Sequence, residues 1–194
     1  TSTTITQLVD TAGKLSQNRR GALIVVDLGS DLRPEDFLYS GTNIEAQLST
    51  DLLINLFATD TPLHDGAVLV KGNKIISAGV ILPLSRQGIS RYGTRHLAAL
   101  GITERFDRCI CIVVSEETGT LSLANQGKLE RPITSSRLQE LLVNLIGNQN
   151  STGANKASLS KNTLSQKTDS GDNIISNINK KESEKSEVFI NNKD

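Results

Sequence analysis

"AVLVKGNKIISAGVIL", residues 67–82, decides the fold. Two runs rich in Val and Ile meet at Lys71–Lys74, with Gly72-Asn73 at the tip, which predicts a β-hairpin. Upstream, "GALIVVDL" (21–28) predicts a buried strand, and "ITQLVDTAGKLSQN" (5–18) places Ile5, Leu8, Val9, Ala12 and Leu15 on one helical face. "NIEAQLSTDLLINLFA" (43–58) predicts a helix with Leu48, Leu52 and Leu56 in one stripe. Downstream, "GTRHLAALGITER" (93–105) begins as a loop and becomes a helix, and "CICIVVS" (109–115) is a continuous apolar strand. "GTLSLANQGKLE" (119–130) predicts one more strand and a turn. "SSRLQELLVNLI" (135–146) predicts an amphipathic closing helix with Ser135 as N-cap. The order α-β-α-β-β-α-β-β-α implies an α/β single domain, with a central mixed β-sheet flanked by helices, over residues 1–147.

The remaining residues, 148–194, are rich in Asn, Ser and Lys, with Phe189 their one aromatic. Such a segment buries too little apolar surface to offset its ordering entropy, so it is expected to be a disordered, low-complexity tail. "SEVFI" (186–190) is its one candidate docking element, and a passive tail is the alternative.

Lys+Arg and Asp+Glu both count 21 in the 194 residues. That balance argues against a broad basic surface and a nucleic-acid partner, but a small anionic ligand needs only a few placed cations. Cys109 and Cys111 share one face of a strand and are expected to be reduced core residues, which fits an intracellular compartment. No apolar stretch reaches the roughly 18 residues that a membrane span requires, and no signal peptide is visible. Because the chain starts at Thr1 without methionine, it is expected to be a piece of something longer.

Three polar clusters interrupt the apolar scaffold, each at the end of an apolar run or at a helix start. In His64-Asp65-Gly66, Asp65 can accept a proton from a hydroxyl nucleophile and His64 can ligate a divalent metal. The same residues also suit an Asx-type turn before a strand. In Gly93-Thr94-Arg95-His96, a loop entering a helix offers free backbone N–H groups, and Arg95 adds a donor fork suited to phosphate. An ordinary Thr94 N-cap with exposed Arg and His is the competing reading. In "SEETG" (115–119), Glu116 and Glu117 can supply a metal-binding carboxylate and Ser115 can donate to a phosphate, or the segment is a turn with solvated acids. The two histidines of the chain both fall in these clusters. Charge neutralisation, a divalent cation and an oriented hydroxyl are the needs of phosphoryl or nucleotidyl transfer. The chain has no "GxxxxGK[ST]" loop, so it is not a P-loop enzyme. It also has too few histidines for an HD-type phosphohydrolase.

These motifs resemble the diadenylate cyclase domain family, most nearly its membrane-type branch. The similarity is carried by "DLLINLF" (51–57), "TPLHDGAV" (61–68), "LPLS" (82–85), "GTRH" (93–96), "AALGITE" (98–104) and "VVSEETG" (113–119). It covers roughly residues 4–146. The family marks its site by "DGA", intact at Asp65, Gly66 and Ala67, and by "RHR", which here reads Arg95-His96-Leu97. The third position has therefore lost an arginine, for which Arg86 or Arg91 is a candidate substitute. The resemblance implies a mixed sheet surrounded by helices. It implies condensation of two ATP into cyclic di-AMP with release of two pyrophosphates, by two domains meeting face to face as a homodimer. The implied catalytic residues are Asp65, Arg95 and His96. Ile81 and Leu82 would line an adenine pocket. Gly66, Ala67, Gly93 and Ser115 would contact the nucleotide, and the turn Thr94–Arg95–His96–Leu97–Ala98 would hold its phosphates. A divalent metal, Mn²⁺ or Mg²⁺, would be held by His64 and Glu116. Members of the branch carry transmembrane helices before this domain, so the chain is expected to be soluble by itself and to meet a membrane only through segments outside it. Loss of the arginine at Leu97 leaves an alternative: a weakened module that binds ATP or cyclic di-AMP. A partner-interaction protein that docks through its tail is a further one.

Overall fold

The structure, a computed structural model, describes residues 1–87 and 91–147. The expected tail, 148–194, lies outside the described residues. The elements run α1 (Ser2–Gln17), β1 (Ala22–Asp27), a 3₁₀ turn (Pro34–Asp36), β2 (Thr42–Gln47), α2 (Thr50–Leu56), β3 (Ala67–Lys71), β4 (Lys74–Val80), α3 (Thr94–Arg105), β5 (Cys109–Val114), β6 (Leu121–Asn125), β7 (Lys128–Ile133) and α4 (Ser135–Gly147). The seven strands form one sheet in the order β2-β4-β3-β1-β5-β6-β7. Only β1 and β3 pair in parallel; every other neighbour is antiparallel, so the sheet is mixed as expected.

Strand periodicity sorts the core into two layers. Ile24 and Val26 of β1, Val68 and Val70 of β3, and Ile110, Ile112 and Val114 of β5 face Leu8, Leu15, Leu53, Leu138 and Leu142 of α1, α2 and α4. The alternate residues, Leu23, Val25, Leu69, Cys111 and Val113, face Ala98, Ala99 and Ile102 of α3. Leu138 and Leu142 are fully buried, each contributing about 1.5–3 kcal/mol, and with partly buried Leu141, Leu145 and Ile146 they pack α4 against this layer. Cys109 and Cys111 are buried free thiols within the α3 layer, and burial pushes the Cys111 thiol well up.

Two elements differ from the sequence expectation. Residues 43–47 belong to an edge strand rather than to a longer helix. Ile44 and Ala46 alternate with exposed neighbours, and β4 supplies an antiparallel template, with a bulge between Asn43 and Ala46. The helix starts later because the Ser49 hydroxyl accepts from the Leu52 N–H at 3.2 Å, an N-cap that separates strand from helix. Residues 128–133 form β7, the second arm of a hairpin whose tip is Gln126-Gly127. Its polar sequence hides it, since an edge strand needs little apolar surface. The cap of α4 also moves by one residue: Thr134 Oγ1, not Ser135, accepts from the Arg137 N–H at 3.1 Å.

Candidate active site

The register brings four strand ends together. Ala22 pairs with Val114, Ile24 with Val68, and Ala67 with Val80. The start of β1, the start of β3, the end of β4 and the end of β5 therefore share one edge of the sheet. All three polar clusters project there, although they are spread over 56 residues of sequence (64 to 119). The parallel pair presents its amino ends to the site, so the usual placement beyond the carboxyl ends of parallel strands is reversed.

Two cavities flank a single ion pair. The first, of about 410 Å³, is lined by His64, Asp65, Gly66, Ile81, Leu82, Thr94, Arg95, Ala98 and Glu116, with Leu23, Val80 and Leu84. The second, of about 360 Å³, is lined by Gly93, Thr94, Arg95, His96, Ser115 and Glu116, with Arg91, Val114, Glu117, Thr118 and Arg131. Arg95 Nη1 lies 2.8 Å from Glu116 Oε2 on the wall that both share. The first cavity has an apolar half, and the second is dominated by charged and hydroxyl side chains.

Local chemistry explains how each group arrives. The Thr61 carbonyl sits 2.5 Å from His64 Nδ1, and a carbonyl only accepts, so in the neutral ring Nδ1 carries the proton and Nε2 is the nitrogen with a lone pair. Gly66 has φ +135°, and a Cβ there would fall 2.7 Å from the Gly79 carbonyl carbon, so only glycine lets the chain turn Asp65 outward before β3. Asp65 is exposed. The "LPLS" segment is strapped onto α3: the Ser85 hydroxyl donates to Glu104 Oε1 at 2.6 Å, and its N–H to the Leu97 carbonyl at 2.9 Å. That strap holds Ile81, Leu82 and Leu84 at the cavity wall. The "SEETG" turn closes through the Gly119 N–H on the Ser115 carbonyl, 2.9 Å, and is tied to α1 by the Ser16 hydroxyl on the Gly119 carbonyl, 2.5 Å. Ser115 Oγ accepts from the Thr118 N–H at 3.4 Å, which leaves its proton free to donate. This segment is a turn, one of the two sequence readings, and it faces the cavities.

Four expected residues, Thr94, His96, Ala67 and Leu97, sit differently from their sequence reading. Gly93, not Thr94, is the N-cap of α3, so Thr94 opens the helix with its N–H unpaired in the first turn. His96 is buried, with its Nε2 3.2 Å from Ser122 Oγ, and the residue also lines the second cavity. Burial, and then the positive charge of Arg131, hold its pKa below the ordinary histidine value. Ala67 and Leu97 are buried and line neither cavity; Leu97 is 7% exposed. Of the substitutes considered for the lost arginine, Arg91 lines the second cavity and Arg86 lines neither.

Among the described residues, no three His, Cys, Asp or Glu side chains cluster as an all-protein metal cage. His64 and Glu116 do share the first cavity, and the free Nε2 lone pair is a competent ligand. Two protein ligands with phosphate oxygens and water is the ordinary arrangement for a hard divalent ion at a nucleotide. The donor set therefore fits a metal held jointly with a polyphosphate.

A family model described as DAC, DisA bacterial checkpoint controller nucleotide-binding, matches residues 9–129. The chain belongs to this family. It is 47% identical over 131 residues to a protein named diadenylate cyclase from Listeria monocytogenes serotype 1/2a, strain 10403S, covering 66% of this chain and 47% of that protein. The chain thus spans about half the length of that relative. A crystal structure of a double mutant of DacA from Staphylococcus aureus superposes with a TM-score of 0.68 at 36% identity, over 75% of this chain and 96% of that one. The crystal structure of a hypothetical membrane spanning protein from Bacillus cereus gives 0.61 at 41% identity, over 66% and 63%.

Within this DAC domain, sequence reading missed several wall residues. Leu23 and Val80 are ordinary strand residues until the register places them. Gly21 carried one usable signal, a glycine just before an apolar run: a Cβ there would stand 2.8 Å from the Arg95 guanidinium and 3.0 Å from Glu116 Oε2. Arg131 carried none, since it lies in a strand that the sequence did not announce.

Proposed function

We propose that the chain is a diadenylate cyclase domain that condenses two ATP into cyclic di-AMP and releases two pyrophosphates. The observation that carries this reading is the pairing of the two cavities across Arg95–Glu116 in a DAC-family domain. The apolar half beside Ile81, Leu82 and Ala98 suits a purine, and the charged half suits a polyphosphate.

The 3′-hydroxyl of one ATP attacks the α-phosphorus of the other, and the bond to the bridging oxygen of pyrophosphate breaks. Asp65, exposed at the cavity wall, orients that hydroxyl and accepts its proton. Arg95 and the N–H groups that open α3 hold the phosphates, with Gly93, Thr94 and Ser115 contributing hydrogen-bond donors. His96, neutral and pinned to Ser122, is assigned to positioning the helix start against them. Gly66 and Ala67 shape the backbone beside Asp65. A divalent ion held by His64 and Glu116 would neutralise charge on the phosphates and on the leaving pyrophosphate.

A cavity of about 410 Å³ accommodates one nucleoside. Closing a symmetric ring needs two, so the active unit is a two-fold pair of domains meeting at this edge. Exposed Ile81 and Leu84 at the wall, with exposed Leu38 and Tyr39 bonded to Ile81, supply apolar surface for such a meeting. Anchoring to a membrane through segments outside this chain is supported by the likeness to the Bacillus cereus membrane spanning protein. Among the described residues, no helix is long and apolar enough to cross a membrane.

The test is incubation with ATP and Mn²⁺ or Mg²⁺, followed by mass detection of the product. Cyclic di-AMP is the expected product, with specific activity falling on dilution below the dimer dissociation constant. Flat specific activity in protein shown to be monomeric by sedimentation would overturn the face-to-face pair. ATP binding without product under all metals would leave the second reading, a binding module, which Leu97 in place of arginine favours.

A further inference from the structure

The second cavity holds a cation that the family motifs do not supply. Arg131 comes from β7, on the far side of the sheet from the Asp65 loop in strand order. Its guanidinium carbon lies 5.7 Å from the centroid of the Tyr92 ring. Tyr92 lies 6.3 Å from the His96 ring, and His96 is hydrogen-bonded to Ser122 of β6. The guanidinium is thus held by a ladder of rings that ends on the sheet. A cation–π contact of this kind leaves guanidinium N–H groups able to donate to an anion. Of the other arginines, Arg95 is ion-paired with Glu116 on the shared wall, Arg91 also lines this cavity, and Arg137, which lines neither cavity, pairs with Glu130 and Glu140. Among the described residues, no carboxylate forms an ion pair with Arg131. Glu117 also lines the cavity, so its wall carries both signs, yet Arg131 is the cation fixed by packing rather than by an acid.

We infer that Arg131 is a phosphate-contacting residue of the nucleotide site, which seats the outer phosphates of ATP and holds pyrophosphate, in place of the cation missing at Leu97. The inference rests on the ATP reading of the site. Leu97 is buried and lines neither cavity, so in this chain that position brings no side chain to the phosphates. A guanidinium edge presents paired donors that match phosphate oxygens. The positive charge of Arg131, after burial, also lowers the His96 pKa, in keeping with the place of both residues at this cavity wall.

The experiment measures binding to the 194-residue chain by calorimetry, for wild type, Arg131→Gln and Arg131→Lys. Three probes are used: 3′-deoxy-ATP, which lacks the attacking hydroxyl; pyrophosphate; and adenosine. Arg131→Gln is expected to weaken 3′-deoxy-ATP and pyrophosphate by about ten-fold and to leave adenosine unchanged. Arg131→Lys should recover part of the loss, because it restores charge without the fork. Unchanged affinity for both phosphate probes in Arg131→Gln overturns the inference, and so does an equal loss for adenosine, which would mark a structural role. Arg131→Lys that binds no better than Arg131→Gln, with both variants melting below wild type, also overturns it. If wild type binds pyrophosphate through Arg131 but not 3′-deoxy-ATP, the ATP reading fails while the phosphate contact stands. If the phosphate probes ignore Arg131 while wild type makes cyclic di-AMP, the reverse holds.

Discussion

The two ends of the central strands carry similar residues and use them differently. At the end of β1 away from the cavities, Asp27 is 2% exposed in its side chain and accepts the N–H groups of Gly29 and Ser30 at 2.8 Å and Leu32 at 3.3 Å. Lys71, at the end of β3, reaches Asp31 at 2.7 Å and Asp27 at 3.7 Å. Both acids there are consumed by the fold. At the opposite end, Asp65 is exposed at a cavity wall, His64 keeps a free lone pair, and Glu116 and Arg95 meet on the wall common to both cavities. Residue type does not separate the loop clasp from the candidate site; what separates them is that Asp27 is buried under three backbone donors while Asp65 stands exposed at a cavity wall.

Substitutions at both ends break or sharpen that contrast. On the role proposed for the exposed carboxylate in proton transfer, Asp65→Asn should cut cyclic di-AMP formation by about 10²–10⁴-fold with an unchanged melting temperature. Product mass and thermal melting of one sample check this; near wild-type turnover would remove Asp65 from the chemistry. Leu97→Arg, which restores the family motif, should destabilise by about 2–4 kcal/mol rather than tighten ATP binding, because the position is 7% exposed and a cation there loses its water. A denaturant titration reads the loss; a stable variant with improved nucleotide affinity would show that this helix turn faces the phosphates. Asp27→Ala should destabilise by about 1.5–3 kcal/mol, as three backbone donors lose a charged acceptor, while activity per folded molecule stays close to wild type. Loss of activity without loss of stability would mean that the two ends are coupled.

The smallest effect is in pH. His96 has a folded pKa below its unfolded value of about 6.5, so the unfolded chain binds more protons below that pH. Stability is therefore complete above about pH 6.5 and falls as acid carries the protein toward the lowered pKa. Asp31 has a folded pKa lowered by its hydrogen bond to Lys71, so its contribution is present above about pH 3.9 and is lost below it. Acid should thus weaken the site end first. Urea midpoints between pH 7.5 and 5 should fall less for His96→Gln than for wild type; parallel curves would remove His96 from the acid sensitivity.

Much of this was legible in the sequence. The continuous apolar runs of β1 and β5, the hairpin at Gly72-Asn73 and the leucine stripe of α4 determined a mixed sheet between helices, because buried strands and helices must repeat apolar residues at their own periods. The clusters at His64–Gly66, Gly93–His96 and Ser115–Gly119 stood out as polar chemistry at the ends of apolar runs. Edge strands escaped that reading: β2 and β7 are half solvated, so their residues carry little periodic signal. Only the tertiary structure decided which strand ends share an edge, and with it that Arg95 meets Glu116 across a wall common to two cavities. It also decided that Leu97 points into protein while Arg131 arrives from another strand. Residues of one element advertise themselves by spacing, but a site built across four strands and a helix is fixed by register, and register is a property of pairing between distant segments that no local pattern encodes.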